Sequence, residues 1–420
     1  MRTRRNSELY GGILGNFSSR DLWAHQEEAK AAFLKAKHGI LEMATGTGKT
    51  RTAIGIIKKL LEEGKVRRVI VITYGTDLLQ QWYHELLLNL GNIKIFRFFD
   101  KYKEGAKFSL SRGNSLLILS RDAERIAECL SMLEKRDGQE QAWEKTLLLF
   151  DEVHGLGAAS FERILKGRIQ RYRYRLGLSA TPERDYDDQG NEFIQNEIGD
   201  VIYRFGLEEA IQNGILCPFS YIPLSYELTD RERERKRAVI AAYEMKRSKG
   251  IHFEESDMYR DLARVNKTAE QKIPQFDMLI KEKPDLLEHC ILFVETMEYG
   301  IHVQNMLIRH NCRFHTYYGE DTKDNLRKFG SGQIDCLLTC KKISEGIDIR
   351  SARNIVLFSS DKGKIVTIQR IGRVLRKNPE DPSKKACVVD FICRGESGED
   401  TTTDQERREW LTKLAKVGNE

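Results

Sequence analysis

Residues 43–50 read MATGTGKT, between the short apolar run KHGILE (37–42) and the segment RTAIGIIKKLLEEG (51–64). The first run suits a buried strand. In the second, Ala53, Ile54, Ile57, Leu60 and Leu61 recur as one face of a helix. Strand, small-residue loop and helix form a setting in which backbone N–H groups can wrap around phosphate. Gly46 and Gly48 permit close approach, Lys49 reaches terminal phosphates, and the Thr50 hydroxyl suits Mg2+. Thr45 and Thr47 complete the candidate loop.

Outward from this loop, apolar runs alternate with amphipathic stretches. RRVIVIT (67–73), SLLILS (115–120), KTLLLFDE (145–152) and RYRLGLSA (173–180) predict strands, and TDLLQQWYHELLLNL (76–90) predicts a helix. The rhythm recurs in CILFVET (290–296), RFHTYYG (313–319), DCLLTC (335–340), NIVLFSS (354–360) and ACVVDFI (386–392). Two α/β domains with parallel sheets covered by helices are expected. The reading divides the chain into a leader (1–20), a first domain (21–215), a second domain (216–395) and a C-terminal helix (396–420). Residues 229–283 are a polar, helix-favouring insert. Within 230–249, eight Lys or Arg stand against four Asp or Glu. A solvated helix with i,i+4 support such as Glu232 to Lys236 is expected, with a nucleic-acid-facing helix as the alternative.

The 420 residues, 40% hydrophobic and 31% charged, suffice for two ordinary cores. No uninterrupted apolar stretch reaches the length of a membrane span, and no apolar segment follows the basic MRTRRNSELY start. A cytoplasmic protein without a membrane partner is expected. The net charge of +6 permits a polyanionic partner. Eight cysteines without a CxxC pair read as buried, reduced thiols rather than a metal site.

The stretch LLLFDEVH (147–154) carries the second chemical signal. Four apolar residues end in two carboxylates, which places Asp151 and Glu152 at the C-terminal tip of a strand, the edge where parallel sheets bind ligands. Asp151 is placed to hold Mg2+ through water, and Glu152 to orient and deprotonate an attacking water.

With these two signals in order, the chain resembles superfamily-2 helicases and translocases. LGLSATPER (176–184) is similar to that family's motif III, which implies that Ser179 and Thr181, with His154 of the DEVH stretch, couple nucleotide state to the nucleic-acid site. VITYGTDLLQQW (71–82) resembles motif Ia and implies nucleic-acid backbone contacts by Thr73 and Gly75, with Arg121 joining them. LWAHQEEA (22–29) resembles the adenine-reading element, with Gln26 as base contact. LLTCKKISEGIDIRSARNIVL (337–357) is similar to motif V: Thr339 would lie near nucleic acid, and Gly346 and Asp348 near nucleotide. TIQRIGRVLRK (367–377) is similar to motif VI. Gln369, Arg373 and Arg376 fall at i, i+4 and i+7, one helical face, and the two arginines are the arginine-finger candidates.

Within the superfamily, DEVH, LSATPER and EGIDI look closest to the branch of XPB-like, UvsW-like and type I restriction motors. GLEEAIQNGILCPFSYIP (206–223) resembles the segment by which that branch leaves its first motor domain. The resemblance implies two tandem RecA-like domains, ATP and Mg2+ as cofactors, and movement along or unwinding of nucleic acid, DNA favoured over RNA. Alternatives are a non-unwinding duplex translocase within a restriction, defence or repair complex, an RNA helicase, and a nucleotide-gated binding scaffold. All motor readings require the 367–377 segment to face the 43–50 loop.

Overall fold

The computed structural model describes residues 23–184, 187–318, 321, 324–340, 349–360, 364–395 and 402–417. Among the described residues, thirteen strands fall into two parallel sheets. The first contains β1 (His38–Met43), β2 (Arg68–Thr73), β3 (Lys94–Phe98), β4 (Ser115–Ser120), β5 (Thr146–Asp151), β6 (Tyr174–Ser179) and β7 (Val201–Phe205). Their order is β3-β4-β2-β5-β6-β1-β7. The second contains β8 (Phe219–Tyr226), β9 (Cys290–Phe293), β10 (Phe314–Thr316), β11 (Cys336–Thr339), β12 (Asn354–Leu357) and β13 (Ala386–Cys393), ordered β10-β11-β9-β12-β13-β8. These are two tandem RecA-like α/β domains.

Burial explains why the central strands read so plainly in sequence. Every residue of β2, β5 and β6 is buried, because helices cover both faces, so these strands are continuous apolar runs rather than alternating ones. The edge strands β3 and β7 are half-exposed and carry Arg97 and Arg204, which hid them from the sequence reading. The edge strand β8 contains Pro223, a residue tolerated where one side of the strand needs no ladder partner.

The parallel register aligns the functional tips. Glu42 pairs with Ser179, Asp151 with Leu178, and Thr73 with Ser120, so the ends of β1, β2, β4, β5 and β6 share one edge. After β1 the chain turns through Gly46 and Gly48, at φ 92° and 91°, conformations that glycine adopts without steric cost. It then enters the helix Lys49–Glu62, which packs Thr52, Ala53, Ile54, Ile56, Ile57, Leu60 and Leu61 against the core.

The insert consists of the helices Asp230–Ser248, Glu255–Lys267 and Lys272–Glu282. The expected Glu232–Lys236 surface pair is not its organising feature. Glu232 is 3% exposed, and its carboxylate accepts from the Thr229 and Glu270 backbone N–H groups at 2.8 Å each. Together with Thr229 it forms a capping box, a use that turns the acid inward. Lys272 of the third helix is also buried and donates to the Phe358 carbonyl at 2.7 Å, anchoring the insert on the second sheet. The terminal helix Thr402–Val417 docks through Leu411 and Leu414, and Arg407 clamps the buried Asp390 of β13 at 2.8 Å.

None of the eight cysteines is in a disulfide. Among the described residues, no helix is long and apolar enough to cross a membrane.

Candidate functional site

The helix Lys364–Val374 of the second domain lies directly on the 43–50 loop of the first. A Cβ on Gly372 would stand 3.0 Å from Thr45 Cβ, and one on Gly46 would stand 3.1 Å from Arg376 Cγ. Gln369 Nε2 donates to Glu152 Oε2 at 3.3 Å across the cleft. The contact required by the motor readings is therefore present.

One detail differs from expectation. The helix ends at Val374, so Arg376 is not on its face; it sits in an antiparallel bridge with Leu216. The Cys217 N–H donates to the Leu375 carbonyl at 2.8 Å, and this pairing with the segment entering β8 ends the helix. Arg376 still turns its side chain towards Gly46.

The loop is braced from behind. His25 Nε2 and Gln26 Nε2 both reach the Thr47 carbonyl, at 2.8 and 3.0 Å, and His25 stacks on Phe205 with centroids 4.3 Å apart. Gln26 also covers Gly48, where an added Cβ would come within 2.1 Å of its amide nitrogen. His25 was not singled out from sequence; its neighbour Gln26 was. Lys49 Nζ donates to the Met43 carbonyl at 3.1 Å. Desolvation holds the Lys49 amine below the ordinary lysine range, opposed by Glu152 and Asp151 and reinforced by Arg376 and Arg373. Thr50 lies in the first turn of the following helix.

Asp151 is buried at the tip of β5, and its pKa is pushed up to about 6 by desolvation and by the charge of Glu152. Trp82 Nε1 donates to its Oδ2 at 2.8 Å, and the Glu152 N–H to its Oδ1 at 3.0 Å. Trp82 lies in the expected helix 76–90 and at the end of the motif Ia-like stretch, and on that helix Leu79, Trp82 and Leu86 are buried. Its polar edge was invisible in the pattern.

Glu152 adopts a left-handed backbone, φ 50°, at a cost of about 1–3 kcal/mol for a non-glycine residue. Its carbonyl accepts from Arg121 Nη1 at 2.8 Å and from the Gly155 N–H at 3.1 Å, which fixes the turn. The carboxylate lies 3.5 Å from His154 Nδ1. That ring also meets Ser179 Oγ at 3.2 Å. Desolvation, with Arg121 and Arg184 nearby, lowers the His154 pKa to about 4, so the imidazole is neutral at pH 7. Ser179 Oγ accepts from the Thr181 N–H at 3.1 Å, while the Thr181 hydroxyl is buried without a hydrogen-bond partner.

The expected nucleic-acid contacts fare differently. Thr73 and Thr339 are fully buried, and the Thr339 hydroxyl donates to the Tyr317 carbonyl at 2.9 Å. Strand-tip burial thus removes both from the surface in this structure. Gly75, φ 87°, caps the helix Thr76–Asn89 at the domain edge. Arg121 is turned inward onto Glu152, with its guanidinium 5.5 Å over the Tyr74 ring, rather than presented to solvent. Gly346 and Asp348 lie outside the described residues. Arg370, not singled out from sequence, is buried and anchors the helix by donating to the Ser359 carbonyl at 2.5 Å.

Comparison with known proteins agrees with this architecture. The family described as type III restriction enzyme, res subunit, matches residues 20–184, and the helicase conserved C-terminal domain matches residues 274–378. The DNA 3'-5' translocase XPB2 of Sulfurisphaera tokodaii is 24% identical over 93% of this chain and 85% of its own length. The putative helicase 22 of a Sulfolobus islandicus filamentous virus is 25% identical over 92% of this chain and 66% of its own. Among solved structures, the Pyrococcus furiosus Hef helicase domain superposes with a TM-score of 0.59 at 15% identity, covering 94% of this chain and 99% of that one. The type ISP restriction-modification enzyme LlaBIII bound to DNA gives a TM-score of 0.61 at 16% identity over 97% of this chain and 30% of that one. Two matched domains in tandem around a shared cleft support a superfamily-2 protein similar to XPB-like and restriction-type motors, an ATP-hydrolysing helicase or translocase.

Proposed function

We propose that the chain divides at residues 215/216 into two motor domains that share one ATP and move along or unwind DNA, in the cytoplasm. The observation that carries this reading is the meeting of Gln369, Gly372 and Arg376 with Glu152, Thr45 and Gly46. Lys49 clamps the terminal phosphates, Arg373 and Arg376 neutralise charge developing on the γ-phosphate, and Glu152 takes the proton of the attacking water. The neutral His154, between Glu152 and Ser179, links that carboxylate to the motif III turn.

The residues also fit Mg2+. Asp151 is a buried acid with an elevated pKa beside a second carboxylate, an environment that a cation relieves. Thr50 supplies a hydroxyl close to the loop. Asp151 and Thr50 would hold the ion together with the nucleotide's phosphate oxygens, and it would supply charge neutralisation at the phosphates.

DNA is favoured because the XPB2 relative is named a DNA translocase and the LlaBIII structure holds DNA. ATP turnover with and without single-stranded DNA, duplex DNA and RNA tests the proposal; absent turnover in every case refutes it. A second reading, translocation without unwinding inside a restriction or defence assembly, is supported by LlaBIII, of which this chain matches only 30%. Triplex displacement without unwinding of a tailed duplex would select it.

A further inference from the structure

The segment 74–82 reaches both acidic residues of the site by separate routes, one to the Glu152 main chain through Arg121 and one to the Asp151 carboxylate through Trp82. At one end, Tyr74 is 58% exposed, an unusual position for a large aromatic side chain on the ligand edge of a parallel sheet. Arg121 lies over its ring at 5.5 Å, and the Arg121 N–H donates to the Thr73 carbonyl at 2.7 Å. The same guanidinium donates to the Glu152 carbonyl at 2.8 Å and packs against Gly155, leaving no room for a Cβ there. At the other end, the fully buried Trp82 donates to Asp151 Oδ2 at 2.8 Å. Between the two ends lies Gly75, φ 87°, the point about which the helix Thr76–Asn89 leaves its strand.

We infer that Tyr74 stacks on a base or sugar face of the bound nucleic-acid strand, and that this occupancy is relayed to the acidic pair by Arg121 at Glu152 and by Trp82 at Asp151. The inference rests on the motor reading above. Its physical basis is economy of parts. An aromatic face binds any base, which suits a motor that must not read sequence. A base stacked on the Tyr74 ring shares it with the Arg121 guanidinium, 5.5 Å from the ring centroid, so occupancy of the ring bears on that guanidinium. Arg121 in turn fixes the strained turn that aims the Glu152 carboxylate. Trp82, on the same helix as the Gly75 hinge, carries any rotation of that helix to the residue assigned to Mg2+. Arg121 and Trp82 are thus positioning residues, and Tyr74 is the contact.

The test uses the full chain, a fluorescein-labelled DNA oligonucleotide in single- and double-stranded form, and ATP turnover titrated with the same DNA. Tyr74→Phe, which keeps the ring, is expected to match wild type. Tyr74→Ala is expected to weaken DNA binding by about fivefold to a hundredfold, the range of a lost stacking contact. At saturating DNA its turnover is expected to fall to the DNA-free rate of the same variant. Trp82→Phe is expected to keep DNA affinity, lose stimulation, and bind Mn2+–ADP more weakly by electron paramagnetic resonance. A wild type stimulated by DNA whose stimulation survives Tyr74→Ala at saturation overturns the inference alone. Unaltered stimulation and Mn2+–ADP affinity in Trp82→Phe overturns the tryptophan route. A wild type that hydrolyses ATP equally with and without every nucleic acid overturns both the inference and the proposed function. Should Trp82→Phe fail to fold, the exposed Tyr74 pair still decides.

Discussion

Gly372→Ala separates helix stability from motor function because the two respond with opposite signs. Gly372 lies within the helix Lys364–Val374, where replacing glycine by alanine stabilises the helix by about 0.5–1 kcal/mol. The new Cβ, however, stands 3.0 Å from Thr45 Cβ, 3.4 Å from the Thr45 carbonyl and 3.7 Å from Leu207 Cδ2. Comfortable carbon–carbon contact begins at about 3.5 Å, so roughly half an ångström must be opened. The loop has little room to yield: the Ala44 N–H is bonded to the Phe205 carbonyl at 2.8 Å and the Thr47 carbonyl is held by His25 and Gln26. The helix must back away, taking Gln369 and Arg373 with it. Overpacking costs about 1–3 kcal/mol, partly offset by the helix gain, so thermal unfolding should shift by only a few degrees. A misplacement approaching an ångström can cost about 10²-fold in rate, so turnover at saturating ATP and DNA should fall between about tenfold and a hundredfold. ATP hydrolysis and thermal unfolding are measured side by side on the purified variant. Wild-type turnover in Gly372→Ala would refute the claim that this helix and loop act in contact.

Lys49→Ala removes the ammonium at the loop and should lower turnover by about 10²–10³-fold; a steady-state assay at saturating ATP checks it. Glu152→Gln keeps a hydrogen-bonding partner for Gln369 but not a base, so a fluorescent ATP analogue should bind normally while turnover falls about 10²–10⁴-fold; normal hydrolysis would remove Glu152 from its role. His154 has a folded pKa of about 4, below the ordinary 6.5, so its contribution to stability is present above pH 6.5 and is lost as pH falls towards 4. His154→Gln should therefore flatten the decline in thermal midpoint between pH 6.5 and 4, measured without Mg2+ or nucleotide, whereas Asp151, raised to about 6, titrates with the opposite sign. Glu232→Ala leaves the Thr229 and Glu270 N–H groups without their acceptor and should destabilise the insert by about 1–3 kcal/mol. Hydrogen exchange confined to the insert helices would show it, and unchanged protection there would disprove the anchoring role.

The sequence was most legible where burial is complete. SLLILS coincides with β4, and the central strands β2, β5 and β6 carry unbroken apolar runs because both faces are covered. Three of the four edge strands escaped, since β3 and β7 are half-exposed and β8 carries a proline, whereas the edge strand β10 lies within the expected RFHTYYG. At the site, residues defined by spacing along one element were readable: Gly46, Lys49, Asp151, Glu152 and Gln369 meet in space. Residues whose role depends on tertiary partners were not. Trp82 has the periodicity of a core residue, and only the three-dimensional placement of its indole N–H beside Asp151 reveals a second use. Arg121 looks like a surface phosphate ligand until its guanidinium is found on the Glu152 carbonyl. Arg376 lies at helical spacing from Gln369, yet backbone pairing between 216–217 and 375–376 ends the helix first.

The contacts across the cleft have a thermodynamic consequence for the proposed motor. The groups that hold one domain on the other are those a nucleotide would use: the Glu152 carboxylate receives Gln369, Gly46 lies against Arg376, and Thr45 abuts Gly372. A triphosphate entering the loop must insert between these pairs, exchanging direct contacts for contacts through its own oxygens. Domain closure and nucleotide affinity then share one free energy, so a change in either shifts the other equally. In the proposed cycle, hydrolysis would remove the γ-phosphate shared by Lys49 and the arginines, and the bridged arrangement would lose its advantage over the open one. A ligand moves such an equilibrium only by its differential affinity for the two states. Apolar packing continues through the same region, with Leu207, Leu216, Ile371, Val374 and Leu375 in one buried cluster, so the polar pairs and the small residues Thr45, Gly46 and Gly372 mark where a nucleotide can enter between the domains.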